Sequence, residues 1–107
     1  MKNIPTVHEL RKTGYKVKVG HFRNFYKYNP QTGKKTSVYN ILFSEWREKY
    51  SDLYLSTKGG KTLVTIRPPN STEEYEGSIE CSVEERYVKN FGTKRAIARA
   101  LAKIPKN

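Results

Sequence analysis

The chain has 107 residues, with 21 Lys and Arg against 10 Asp and Glu, a formal charge of +11. Eight Tyr, four Phe and one Trp supply more apolar surface than a disordered polycation carries, and one domain of this length buries roughly two thirds of its unfolded surface. The single Cys81 excludes a disulfide scaffold, and no apolar run approaches a membrane span or a signal peptide. A soluble, cytoplasmic protein of one α+β domain over residues 1–107, without a membrane partner, is therefore expected.

Charge is unevenly placed. Residues 1–40 hold nine basic groups and one Glu, residues 41–80 five basic and seven acidic, and residues 81–107 seven basic and two acidic. The basic ends would make one face if they met in the fold.

Thr6 with Glu9 three residues on is a capping box, and Gly14 suits the left-handed end of a two-turn helix. From Tyr15 the period changes to two: Tyr15, Val17 and Val19 alternate with Lys16 and Lys18, as in a half-exposed strand. Phe22 has the opposite parity, which predicts a bulge at Gly20. Residues 29–33 form an Asn-Pro-Gln-Thr-Gly turn, with a returning strand over Thr36–Phe43. Residues 44–57 read as a short helix or irregular excursion, because Trp46, Tyr50 and Leu53 share a helical stripe. Lys58–Thr62 is a hairpin turn in this reading and Lys61–Arg67 a strand. Pro68–Pro69 leaves the sheet, and Tyr75–Cys81 returns beside it.

Ser82 and Glu85 form a second capping box, which predicts a helix with Val83, Tyr87, Val88 and Phe91 as its apolar positions. Gly92 would break it. Thr93 would cap a last helix with an apolar stripe of Ala96, Ile97, Ala100, Leu101 and Ile104, ended by Pro105. The expected architecture is a mostly antiparallel sheet of about four strands, a short N-terminal helix and two C-terminal helices.

Catalytic chemistry finds little footing. His8, His21 and Cys81 lie on three elements rather than at metal-ligand spacing. Cys81 reads as a small buried hydrophobe. Glu73, Glu74 and Glu76 read as solvated charge, and Glu84 with Glu85 as anions at a helix start. Lys58–Thr62 lacks phosphate-loop spacing. The reading is a non-enzyme with no cofactor and no metal.

The cations carry the functional signal. Lys16, Lys18, Arg23 and Lys27 come from the first strand, Lys34 and Lys35 from its turn, and Lys94, Arg95, Arg99 and Lys103 from the last helix. Such sets neutralise phosphates, and Thr93 with the free amides of a helix start would seat one. Phe22, Tyr26 and Tyr28 beside Arg23 and Lys27 are candidates for base stacking. No side-chain set is committed to base edges, so DNA or RNA would be bound with little sequence preference.

Two resemblances accompany this reading. Gly92–Thr93–Lys94–Arg95–Ala96 opening an Ala-rich helix is similar to the last helix of double-stranded RNA-binding domains, which implies a phosphate-clamping role for Lys94, Arg95 and Arg99. The segments His8–Val17, Gly77–Ser82, Tyr87–Lys89 and Ile97–Leu101 resemble small basic proteins of tailed phages. That resemblance implies host–virus interaction, and a second expectation with it: an anti-defence inhibitor that binds a host protein or nucleoprotein such as a nuclease.

Overall fold

The computed structural model describes residues 4–105, apart from the side chain of Val83. Helix α1 (Val7–Lys12) leads into strand β1 (Lys16–Tyr28), which turns back as β2 (Lys35–Leu42). A 3-10 turn (Phe43–Glu45) and the one-turn helix α2 (Trp46–Lys49) precede β3 (Tyr54–Leu55), β4 (Lys58–Arg67), β5 (Tyr75–Arg86) and helix α3 (Lys89–Lys103). The five strands are antiparallel in the order β2-β1-β4-β5, with β3 beside the distal part of β1. The α+β class and mostly antiparallel sheet are as expected from the sequence; the element count differs.

Thr6 caps α1 as expected: its hydroxyl accepts the Glu9 amide at 3.1 Å, and Glu9 accepts the Thr6 amide at 3.0 Å. That bond to the Thr6 backbone holds the Glu9 carboxyl below its usual pKa. Gly14 takes φ +93 after the helix.

Strand β1 runs through Gly20 without a bulge, since Val19, Gly20 and His21 oppose Val64, Leu63 and Thr62 in unbroken register. The irregularity lies in β2 opposite Asn24. Asn40 there adopts φ 59, and its amide donates to Asn24 Oδ1 at 3.3 Å. An Asn tolerates this left-handed state better than other residues with side chains. The change of parity at Phe22 therefore has another cause. Both faces of β1 carry apolar residues, with Phe22 opposite Leu42 on the face away from α3.

The larger correction concerns residues 82–93. The helix predicted over 83–91 does not form, and helical structure begins only at Lys89. β5 continues to Arg86, which pairs with Lys58, and Ser82 accepts the Glu84 amide in a local turn rather than capping a helix. Glu84 and Glu85 are accordingly not anions at a helix start. Lys58–Gly60 begins β4 rather than forming a hairpin turn, with Gly59 and Gly60 at φ 76 and φ 133, and the extra residues of the irregular pairing, 82–85, lie in β5 opposite Gly59. One helix follows, and Gly92 lies inside it. Its backbone approaches Thr62 so closely that a Cβ would stand 2.6 Å from Thr62 Oγ1. Glycine here fills a steric need at a propensity cost of about 1 kcal/mol.

Two apolar clusters cover the same face of the sheet. Ala96, Ile97 and Ala100 of α3 pack with Leu10, Val17, Val64 and Ile66, as the predicted stripe requires. At the distal end Phe25 and Leu53 are buried. Trp46 lies on Phe25 at 5.1 Å between ring centroids, and its indole N–H donates to the Leu53 carbonyl at 2.9 Å. Residues 44–57 thus contain both the short helix and a strand fragment. Among the described residues no helix is long and apolar enough to cross a membrane.

Candidate nucleic-acid interface

Side chains of β1 alternate between two faces. Val17, Val19, His21, Arg23 and Phe25 face the helices. Lys16, Lys18, Gly20, Phe22, Asn24, Tyr26 and Tyr28 face away, onto a surface that no helix among the described residues covers. Cross-strand register extends this open face. Arg67 lies opposite Lys16 and Lys61 opposite Phe22, while Ser37 and Lys35 lie opposite Tyr26 and Tyr28.

At the distal end, Tyr54 of β3 pairs with Tyr26. Their rings stack at 5.4 Å and 18°, and Lys35 Nζ stands 4.9 Å from the Tyr26 centroid. Tyr54 and Tyr28 remain about half exposed, at 54% and 47%, so their rings have free surface. Lys58 and Tyr39 line the same shallow depression as Tyr26 and Lys35. On the β5 side Glu76 and Glu80, in register with Thr65 and Lys61, form an acidic border. The basic part of this face is thereby limited to the line of β1 and β4.

The predicted cations divide. Lys16, Lys18 and Lys35 share the open face, and Lys34 is exposed at the hairpin end. Lys27 points to the opposite face and pairs with Asp52 at 3.4 Å. Arg23 is built into the fold. Its guanidinium lies 4.3 Å from the Tyr87 ring centroid, and Nη2 donates to the Ser56 carbonyl at 3.3 Å. Its Nε is buried with no hydrogen-bond partner among the described residues. Of the stacking candidates, Phe22 is half-buried on the open face between Gly20 and Asn24.

The α3 cations lie across the sheet from this surface. Arg99 donates to the Ser78 carbonyl at 3.0 Å, Arg95 covers Phe91 at 4.4 Å, and Lys103 sits in the last turn. Lys94 points to the other side of the helix, into a cleft shared with Arg11 and Lys89. Because α3 begins at Lys89, Lys94 and Arg95 occupy its second turn. Thr93 donates its hydroxyl to the Lys89 carbonyl at 2.9 Å, so the expected phosphate seat at Thr93 does not exist. Helices α1 and α3 meet, so Arg11 joins Lys89 and Lys94 on the covered side, while the sheet separates Lys16 and Lys18 from them.

Between the two apolar clusters runs a polar seam. Tyr87 Oη lies 2.6 Å from both His21 Nδ1 and Thr62 Oγ1. Burial, then Lys89 and Arg23, hold the His21 pKa below its ordinary value. Burial raises that of Tyr87. Tyr87 is therefore a neutral hydrogen-bonding group rather than an activated nucleophile. Cys81 is half-buried, its thiol directed at the Glu85 carbonyl 3.3 Å away. No group of three or more metal-ligating side chains is present among the described residues.

Sequence reasoning missed Tyr54, Lys61 and Arg67. The strand parity of Lys61, Leu63, Thr65 and Arg67 was available to find the last two. Tyr54 lay in a segment of uncertain period, and only its pairing with Tyr26 places it. Comparison with protein-family models, curated proteins and solved structures gives no match.

Proposed function

We propose that this chain is a non-enzymatic nucleic-acid-binding accessory protein that takes a single strand along the open face of its sheet. The observation that carries the reading is the Tyr26–Tyr54 stack, half-buried at Tyr26 and exposed at Tyr54, with Lys35 beside it, on the same strand face as Lys16 and Lys18 and their neighbour Arg67. Aromatic faces on a basic surface are the combination that single strands use, because an unpaired base offers a ring to stack and a phosphate to neutralise. A duplex hides its base faces and would gain only the charge term. β1 has 13 residues, about 40 Å at ~3.3 Å each, which is room for several nucleotides.

The test is fluorescence anisotropy with labelled single- and double-stranded DNA and RNA, titrated across salt with nuclease-free protein. Each neutralised phosphate contributes about −0.7 to the slope of log affinity against log salt for a single strand. Replacing Lys16 and Lys18 by Gln should flatten that slope by about 1.4. Tyr26→Ala should weaken binding by ~1–3 kcal/mol with the slope unchanged. Weak binding of every nucleic acid at low salt sinks the reading.

A second reading, inhibition of a host protein or nucleoprotein, rests on a different patch. Val88 and Phe91 are 54% and 55% exposed, and the Arg95 guanidinium stands 4.4 Å from the Phe91 centroid. Aromatic and Arg side chains are common anchors of protein interfaces. A nuclease-resistant complex lost in Phe91→Ala and retained in Tyr26→Ala would favour it.

A further inference from the structure

We infer that the cleft between α1 and the first turns of α3 is a binding site for a terminal phosphate monoester on a nucleoside-sized body. Its volume is ≈ 650 Å³, too large for a bare phosphate and within the ~300–1,000 Å³ of small-molecule sites. Three full cations line it, Arg11 from α1 and Lys89 and Lys94 from α3, and no carboxylate does among the described residues. That surplus matches a dianion better than the single charge of an internal phosphodiester.

Arg11 is already positioned, because Nη2 donates to the Val17 carbonyl at 2.9 Å and its other N–H groups remain for a ligand. Holding the guanidinium in place before binding reduces the entropy that binding must offset. His21 also lines the cleft. Tyr87 engages its Nδ1, leaving Nε2 as the ring atom available to a ligand. Its depressed pKa makes it a neutral partner, consistent with a cleft of positive potential.

Apolar walls complete the site. Ile4, Val7, Val19 and Ile97 lie beside the cations, so an attached organic body would be sheltered as its phosphate is held. This arrangement is independent of the open face, from which the sheet separates it.

The experiment is a ¹H–¹⁵N titration of the full chain with AMP, adenosine and inorganic phosphate. AMP should shift the Val19, His21 and Thr93 amides saturably. Adenosine should leave them unmoved, and inorganic phosphate should bind more weakly than AMP. Lys89→Gln with Lys94→Gln, both at exposed positions, should weaken AMP by at least about tenfold, while Tyr26→Ala leaves it unchanged. Absence of saturable shifts at those amides, or unaltered AMP binding in the double variant, overturns the proposal. Two sources of the ligand separate in competition. Displacement of AMP by a 5′-phosphorylated but not a 5′-hydroxyl oligonucleotide assigns the site to strand ends, and no displacement by either assigns it to free nucleotides. Failure here leaves open-face binding intact, and loss of strand binding in Tyr26→Ala leaves the cleft intact.

Discussion

Replacing Gly77 by Ala puts a methyl group where the backbone of α3 crosses β5. Gly77 stands in β5 opposite Val64. A Cβ there would lie 3.1 Å from Ala100 Cα and closer still to the Ala96 carbonyl oxygen and the Ala100 nitrogen. None of these atoms belongs to a side chain that can rotate away. Recovering ordinary contacts of ~3.5 Å requires the helix to lift by roughly 1.4 Å. That movement would unseat Ala96, Ala100 and Ile97, which are 0%, 0% and 1% exposed. Overpacking usually costs ~1–3 kcal/mol, and a backbone obstacle places this substitution near ~3 kcal/mol. At about 4–8 °C per kcal/mol for a domain near this size, Tm should fall by roughly 12–24 °C. Gly33→Ala is the control, since nothing lies within 4 Å of its Cβ position and only φ +71 opposes it, a cost of about 1–2 kcal/mol. Urea denaturation followed by circular dichroism measures both. A Gly77→Ala stability within about 1 kcal/mol of the wild type would refute the close approach.

Stability should depend on pH through His21, whose folded pKa is depressed by burial and by Lys89 and Arg23. The unfolded chain then takes up the proton first, so stability is lost as pH falls from about 6.5 towards the folded pKa. Tm between pH 7.5 and 5.5 should drop less in His21→Gln, and equal drops would count against this assignment. The Tyr26–Tyr54 stack should couple by ~0.5–1.5 kcal/mol in a double-mutant cycle on stability without nucleic acid; strictly additive losses would dissolve it. Thr6→Ala should cost ~1 kcal/mol and speed amide exchange of Glu9, and an unchanged Glu9 amide would deny the cap.

Local signals in the sequence translated well where the deciding contacts are also local. Thr6 and Glu9 are three residues apart and form the capping box on their own. The turn at 29–33 and the stripe from Ala96 to Ile104 required only turn chemistry and period. Residues 82–91 misled for the opposite reason. Ser82 with Glu85 imitates a helix start, but the segment is governed by distant partners: Arg86 pairs with Lys58, and Tyr87 reaches His21 and Thr62. Gly92 reads as a breaker until Thr62 is known to press against it. The candidate interface was readable in kind, as cations interleaved with aromatics, and in part by parity for Lys16 and Lys18. Parity also placed Arg23 with Val17 and Val19, where its charge is spent on Tyr87 and Ser56. What no local pattern contains is the pairing of β3 with β1, which brings Tyr54 onto Tyr26.

The polar seam explains how one long strand serves both the helical body and the tyrosine-bearing arm. β1 is shared by the α3-covered half and the Trp46-covered half, and an unsupported two-stranded ribbon of its length would twist strongly. His21, Thr62, Tyr87 and Arg23 fill the gap between the two apolar clusters on the covered side. Tyr87 is the joint, because its hydroxyl holds the body through His21 and Thr62 while its ring carries the arm's Arg23. Hydrogen bonds and a cation–ring contact impose direction on that joint, which apolar packing alone would not. The open face depends on this direction, since Lys16, Lys18 and Arg67 lie on the body and Tyr26, Tyr54 and Lys35 on the arm. Only a fixed arm keeps the proposed phosphate and stacking sites on one line. The seam thus aligns the proposed binding surface from behind without touching what the surface would bind.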